Sequence, residues 1–293
     1  MPGIETSVII PTHNRKETLF RCLMALNEQN YPATKFEILI IDDGSTDGTE
    51  KMIKKIKIKS AHSYHYQKQS GPAAARNLGL KLARGEFIIF IDDDIIVVPG
   101  FIETHIKEQK KKTDIIVHGP VIYTNNPENP GSEEKKISDF SRAFFATGNV
   151  SIRKKHLIKA GFFNEKFKEY GWEDLELGFR LKKMGLKAVY NPEAKGFHLK
   201  KPFSLKGLPA ILKREKARGR TALILCEINP SWEIKLATLN WPPFFYLARL
   251  LTLANWPYRK STYKLLKFFH KKKIKLIRNL IVYFMKLKAY FDG

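Results

Sequence analysis

The sequence predicts an α/β fold, a mostly parallel sheet flanked by helices, followed by a basic helical C-terminal extension. Three observations predict it. Short β-branched runs alternate with amphipathic segments through the first third of the chain. Polar turns and carboxylates recur at the carboxyl ends of those runs. The stretch Glu86 to Pro99, EFIIFIDDDIIVVP, holds a continuous apolar run, Phe87 to Ile91, of the kind a strand buried on both faces requires.

In order, Ser7 to Pro11 reads as a strand, Thr12 to Arg15 as a polar turn, and Glu17 to Asn27 as a helix with Leu19, Leu23 and Leu26 on one face. Phe36 to Ile41 is the next strand and closes on Asp42-Asp43-Gly44. Thr49 to Lys59 is expected as a lysine-rich helix, and Tyr64 to Gln67 as a third strand. Gly71-Pro72 opens a helix over Ala73 to Ala83 before the Phe87 strand. In such sheets ligands bind beyond the carboxyl ends of the strands, where Thr12 to Arg15, Asp42-Asp43 and Asp92 to Asp94 converge. Neither a GxGxxG nor a GxxxxGK[ST] fingerprint is present, which argues against a dinucleotide or Walker-type site.

Asp92, Asp93 and Asp94 are three like charges at the mouth of a buried strand, where each resists desolvation and repels the others. A divalent cation relieves both costs, and oxygen ligands select a hard ion, Mg²⁺ or Mn²⁺. A solvated acidic turn is the plainer alternative.

The 293 residues carry 43% hydrophobic and 12% aromatic side chains, a globular composition with room for one large domain or two. The start, MPGIETSVIIP, is not read as a signal peptide, and no stretch approaches a membrane span. Two cysteines offer neither a disulfide framework nor metal spacing, so a reducing cytoplasm is expected. The net charge of +23 is uneven: from Lys206 onward there are 19 Lys and Arg against four acids. Such a field implies an anionic partner.

PTHNR after the first strand, IIDDGSTDGT after the second, GPAAARNLGL opening a helix and FIDDDIIVVP together resemble family 2 glycosyltransferases of the GT-A fold, over roughly Thr6 to Leu199. The resemblance implies a nucleotide-diphosphate sugar donor held by Pro11, Thr12, His13, Asn14, Arg15, Asp42, Asp43, Gly71, Arg76, Asp92 and Asp93. Asp42 or Asp43 reads the base, and Arg76 lies near the ribose or diphosphate, where a guanidinium matches phosphate oxygens. A structural ion pair is the other reading of Arg76. Ser45, Thr46 and Asp47 read better as turn and cap residues. The triplet corresponds to the family's DxD element, with Asp94 on the metal and Asp92 a further candidate ligand. His13 and Arg15 stand where family members often carry Tyr and Glu.

Phe101 to Lys112 reads as a helix, Asp114 to Gly119 as a strand, Tyr123 to Glu134 as a loop, and Phe144 to Ile152 as a strand resembling the one that lines the acceptor pocket, with Gly148 and Asn149 at its centre. GWEDLELGFRL resembles the acceptor and base motif of inverting GT-A enzymes, which implies Asp174 as the base and Glu173 as an acceptor ligand. Glu176 is a weaker candidate for either role, and Trp172 is a platform for a sugar face. Acids in a first helical turn are also favoured by the helix dipole alone, and a tryptophan there is equally ordinary in a core. Asn191 to His198 ends the resembling region, and the resemblance implies His198 as a candidate further metal ligand; a simple packed or exposed imidazole is the other reading.

The expected domains are residues 1–200, catalytic (1–100 for the nucleotide sugar, 101–200 for the acceptor), and 201–293. In the extension, Leu208 to Ile228 is helical, Trp241 to Tyr258 is aromatic-rich, and Ser261 to Tyr290 carries a stripe of Leu276, Leu280, Tyr283 and Leu287 with Lys271, Lys275 and Arg278 on another face. That pattern suits an anionic membrane surface at the inner face of the cell membrane. The alternative is a helical subdomain with a solvated basic face. The expected activity is inverting transfer to a glycan or lipid-linked hydroxyl. A sugar-phosphate nucleotidyltransferase would need a glycine-rich loop that PTHNR is not. A nucleic-acid binder would show a reader motif, and none is visible. A non-catalytic glycan-binding relative would not need the intact acids.

Overall fold

The structure, a computed structural model, describes residues 3–133, 144–199 and 203–293. Met1-Pro2, the Glu134 end of the expected loop and the expected domain boundary between residues 200 and 201 lie outside them. Two compact units form: Met1–Lys168 with Glu173–Lys201, and Glu169–Trp172 with Pro202–Gly293.

The first unit runs β1 (Thr6–Thr12), α1 (Lys16–Asn27), β2 (Phe36–Asp43), α2 (Thr49–Ile53), β3 (Ala61–Gln67), α3 (Pro72–Leu82), β4 (Phe87–Ile91), β5 (Ile95–Val97), α4 (Phe101–Lys111), β6 (Ile115–His118), β7 (Val121–Thr124), β8 (Asn149–Arg153), α5 (Lys154–Ala160), α6 (Glu173–Lys183), β9 (Lys187–Tyr190) and β10 (Gly196–Leu199). Seven strands form one sheet in the order β3-β2-β1-β4-β8-β6-β9. Only β8 runs antiparallel to its neighbours, β4 and β6. Every residue of β2 and β4 is buried, which is why both read as unbroken apolar runs and not as alternations. Leu19, Leu23 and Leu26 of α1 enter the core against Val8, Ile10 and Ile89.

A second, three-stranded sheet, β5-β10-β7, stands beside the carboxyl end of β4. Its register pairs His198 with Ile95, the residue after the aspartate triplet. At the turn after β6 the chain approaches the 191–195 loop so closely that a Cβ on Gly119 would lie 1.8 Å from the Ala194 carbonyl.

Several elements differ from the sequence expectation. Helix α2 stops at Ile53 because Lys54 to Lys59, KKIKIK, alternates with period two, and Ile56 and Ile58 pack on the core from an irregular segment. The expected loop at Tyr123 begins inside β7, and the expected Phe144 strand begins only at Asn149 after a turn. Strands β9 and β10 are four residues each, too short for a period to register.

The second unit contains α7 (Leu208–Ile228), α8 (Trp232–Ala237), α9 (Pro242–Leu251), α10 (Lys260–Lys271) and α11 (Lys275–Phe291). Helices α7 and α11 meet at Gly219, where a Cβ would fall 1.9 Å from the Tyr290 carbonyl. The continuous pattern expected over Ser261 to Tyr290 is two helices, broken where Lys273 takes a left-handed φ of 58°. The core uses Leu208, Leu266, Ile281 and Met285. The face of α11 that turns inward is therefore Ile281, Met285 and Ala289, roughly opposite the leucine stripe at 3.6 residues per turn. Leu276 on that stripe is 82% exposed, with Leu280 and Tyr283 also exposed.

Candidate active site

The turn after β1 is stitched to the turn after β2. Asn14 takes a left-handed φ of 53° and is held there by Ser45 Oγ, which accepts from its backbone N–H (2.8 Å), while Asn14 Oδ1 accepts from the Thr46 N–H (2.8 Å). Asp47 accepts from the Lys16 N–H at the start of α1 and from Thr49 at the start of α2. The Ser45-Thr46-Asp47 stretch thus does turn and helix-start chemistry. His13 donates from Nδ1 to the Asp43 carbonyl (2.7 Å), and its Nε2 lies 3.0 Å from Asn14 Nδ2.

Asp42 is fully buried and accepts from the Ser45 N–H and the Tyr64 hydroxyl, each at 2.7 Å. Asp43 accepts from Gln67 Nε2, the Ser70 N–H and the Gly71 N–H. Asp43 is the more reachable of the two, and Oδ2 keeps a free lone pair beyond its one bond. Gly71 has φ of 97°, and a Cβ there would lie 2.2 Å from the Lys168 carbonyl, so the turn that presents its N–H requires glycine. Sequence reasoning missed Tyr64, Gln67 and Ser70. The register of β3 beside β2, Asp42 opposite Tyr66 and Asp43 opposite Gln67, is what brings that strand end to the two aspartates.

At the end of β4 the triplet fans out. Asp93 accepts from Thr12 Oγ1 (2.7 Å) and Arg15 Nη1 (3.1 Å). Asp94 Oδ2 accepts from Arg15 Nη1 and lies 3.1 Å from His198 Nε2. Asp92 is 43% exposed on its side chain and accepts from Arg76 Nη2 (3.3 Å). Gly148 lies beside this carboxylate: a Cβ built on it would stand 3.4 Å from Asp92 Oδ2. Burial pushes Asp93 up to about 7, with Asp94's charge adding to the effect and Arg15 opposing it. Burial also works against the Asp94 charge, but the His198 hydrogen bond and Arg15 outweigh it, and Asp94 sits below the usual carboxylate range. The same bond raises His198 above an ordinary imidazole, against its own desolvation.

Arg76, almost fully buried on α3, joins the two halves of the unit. Its Nη1 donates to Glu173 Oε1 at 2.9 Å while Nη2 reaches Asp92, and its guanidinium lies 5.7 Å from the Phe163 ring centre. Its Nε–H has no partner among the described residues. Glu173 and Asp174 open α6, where the helix dipole favours acids. Burial first, then the charge of Glu173, pushes Asp174 up to about 7, with Arg76 pulling the other way. A carboxylate with that value is poised for proton transfer near neutrality.

Three expected acceptor residues do structural work. Both oxygens of Glu176 are held by Arg180, which also donates to the Phe162 carbonyl, so the pair ties α6 to the loop after α5. Asn149 is buried, donates to the carbonyls of Pro120 and Ala194, and is bonded to His105 Nε2 through Oδ1. Trp172, at φ of 70°, donates from Nε1 to the Arg218 carbonyl (2.9 Å), with the Arg218 guanidinium over its ring, both within the second unit. Pro11, one residue before the end of β1, is half-buried and pairs with Ile41 of β2.

Arg76→Met removes the buried guanidinium that bridges Glu173 and Asp92. A loss of about 3–5 kcal/mol in urea unfolding is expected. A loss under about 1 kcal/mol would mean that Arg76 does not hold this cluster.

Comparison with known proteins places this arrangement. Residues 7–170 match the family model of glycosyl transferase family 2. Hyaluronan synthase of Pasteurella multocida is 31% identical over 224 residues, 61% of this chain but 23% of that protein, so the chain spans about a quarter of that relative. An uncharacterized glycosyltransferase of Bacillus subtilis, YfnE, is 26% identical over 267 residues, 71% of this chain and 68% of the relative. Among solved structures, the mannosyltransferase PcManGT of Pyrobaculum calidifontis, in complex with GDP-Man and Mn²⁺, superposes with a TM-score of 0.63 at 17% identity over 98% of this chain and 86% of its own. S. aureus TarS 1-349 with UDP-GlcNAc gives 0.58 at 17% identity over 98% and 90%. The chain is a glycosyltransferase of family 2, built on the GT-A fold.

Proposed function

We propose that the protein transfers a sugar, with inversion, from a nucleotide-diphosphate sugar to a hydroxyl of a glycan or lipid-linked acceptor. The observation that carries this is the Arg76 bridge, which ties Asp92 at the donor end of β4 to Glu173 at the acceptor end of α6. An acceptor hydroxyl beside Asp174 gives its proton to that carboxylate as its oxygen bonds to the anomeric carbon. The bond from that carbon to the diphosphate oxygen breaks, and the nucleoside diphosphate leaves with the electron pair. Glu173, which accepts from Arg76, orients the acceptor. Asp43 accepts from a base N–H, and Thr12 and Arg15 face the diphosphate side.

The residues fit a hard divalent cation, Mn²⁺ or Mg²⁺. A carboxylate oxygen of Asp94 and an imidazole nitrogen of His198 converge, with Asp92 within the same strand end. Among the described residues no group of three or more His, Cys, Asp or Glu could hold a metal ion by itself; an ion on Asp94 and His198 would take its remaining ligands from water and the donor diphosphate. Mn²⁺ in the PcManGT complex supports the same reading. Such an ion, when bound, supplies neutralisation of the charge that develops on the leaving diphosphate.

No helix is long and apolar enough to cross a membrane among the described residues. The second unit instead exposes Tyr246, Leu247, Leu250 and Leu253 along α9 and beyond it, and Leu276, Leu280 and Tyr283 on α11, and the segment that leads into α11 exposes Lys271, Lys272, Lys273 and Lys275. Exposed apolar side chains and lysines on one helical unit match an anionic lipid surface, at roughly 1 kcal/mol per basic residue. Peripheral binding at the inner face of the cell membrane, near a lipid-linked acceptor, follows.

Donor turnover, with water as the acceptor, is the first assay, across UDP-, GDP- and dTDP-sugars with Mn²⁺ or with EDTA. One donor class is expected to react with metal only, with kcat/KM falling tenfold per unit below about pH 7, where Asp174 becomes protonated. Asp174→Asn, still folded by circular dichroism, is expected to lose about 10²–10⁴-fold. Binding of no donor by the folded, metal-loaded protein would overturn the proposal. For the surface, sedimentation with phosphatidylserine vesicles but not with pure phosphatidylcholine is expected, weakened by salt and by Leu250→Glu with Leu276→Glu. Equal partitioning to both vesicles, or to neither, would discard the membrane contact.

A further inference from the structure

We propose that Arg15 is a resident cation that competes with the divalent metal for Asp94, so that the metal site opens fully only when the donor's diphosphate offers the guanidinium another partner. The inference rests on the reading of Asp94 and His198 as metal ligands given above.

The geometry is specific. Arg15 Nη1 donates to one oxygen of Asp93 and to Oδ2 of Asp94, the same oxygen that His198 Nε2 approaches. One carboxylate oxygen thus serves two donors. A cation coordinated by that oxygen and by the His198 nitrogen would displace Arg15 from it. A guanidinium and a divalent ion on one oxygen repel each other, so binding one lowers affinity for the other.

Backbone and side chain have different freedom. The Arg15 carbonyl accepts from the Leu19 N–H (3.0 Å) and from Thr18 Oγ1 (3.1 Å), and the preceding Asn14 is pinned to Ser45 and Thr46. The backbone is fixed. The side chain is 39% exposed, whereas Asp93 and Asp94 are nearly buried, so the carboxylates stay and the guanidinium has a route toward solvent. Without a metal, something must offset three adjacent acids, and Arg15 does so for two of them while Arg76 takes Asp92. A nucleoside diphosphate adds negative charge on the solvent side, where a guanidinium that leaves Asp94 finds phosphate oxygens of matching geometry.

The test is Mn²⁺ affinity, by electron paramagnetic resonance titration of the full chain, with and without UDP or GDP. In the nucleotide-free protein, Arg15→Gln is expected to bind Mn²⁺ about tenfold more tightly than wild type, and Arg15→Lys to fall between them. The gap is expected to shrink when the nucleotide is present. In EDTA, Arg15→Gln should melt below wild type, and Mn²⁺ should raise its melting temperature by more than it raises that of wild type. Should Arg15→Gln not fold without metal, Arg15→Lys carries the same comparison. Mn²⁺ bound no more tightly by either variant than by wild type overturns the inference while leaving the transferase reading intact. Mn²⁺ bound by no form, even with nucleotide, overturns it together with the metal, while donor turnover judges the transferase separately.

Discussion

Five carboxylates meet two guanidinium groups at one edge of the sheet. Asp92, Asp93 and Asp94 leave the end of β4, and Glu173 and Asp174 open α6; Arg15 and Arg76 hold them. Like charges at this density, largely removed from water, would each pick up a proton or drive the strands apart. The fold resolves this by sending one arginine from the β1–α1 turn and another from α3. The residual frustration is chemically useful: Asp93 and Asp174 are both pushed up to about 7, while Asp94, beside Arg15 and His198, stays low. One cluster therefore contains a carboxylate suited to holding a cation and another suited to taking a proton.

The rest of the first unit positions that cluster. Strands buried on both faces give a rigid edge, and Asn149, His105 and Gly119 lock the 191–195 loop under β8 so that His198 arrives beside Asp94. Glu176 and Arg180 do the same for α6. These polar groups lie beside the carboxylate cluster, and their hydrogen bonds tie neighbouring elements together. The second unit has a different logic. Its core is small, its α7–α11 contact depends on Gly219, and it leaves aromatic and leucine side chains on the outside among lysines.

Much of this was legible in the sequence. The apolar run of β4 and the triplet that follows it announce a buried strand with a costly end, and PTHNR, DDGS and GWEDL name the three turns that gather there. Individual bonds were not legible. Glu176 and Asn149 looked like substrate ligands because type and neighbourhood matched, yet each is consumed by a partner, Arg180 or His105, that only the packed structure brings near. Tyr64 and Gln67 went unseen because their role comes from strand register. On α11 the stripe with the cleaner period, Leu276 to Leu287, faces outward, since a helix apolar on two sides does not say which side meets its neighbour. Arg15 was legible as a donor-side residue, but not as the partner of Asp94.

The most direct measurement of the central claim is a crystal structure of the full chain with Mn²⁺ and a non-hydrolysable nucleotide-diphosphate sugar. The account predicts the diphosphate over Asp94 and His198, the base beside Asp43, and the anomeric carbon on the side facing Asp174, with Arg76 still bridging Asp92 and Glu173. A nucleotide bound away from the β1, β2 and β4 ends, or an anomeric carbon turned from Asp174, would contradict it.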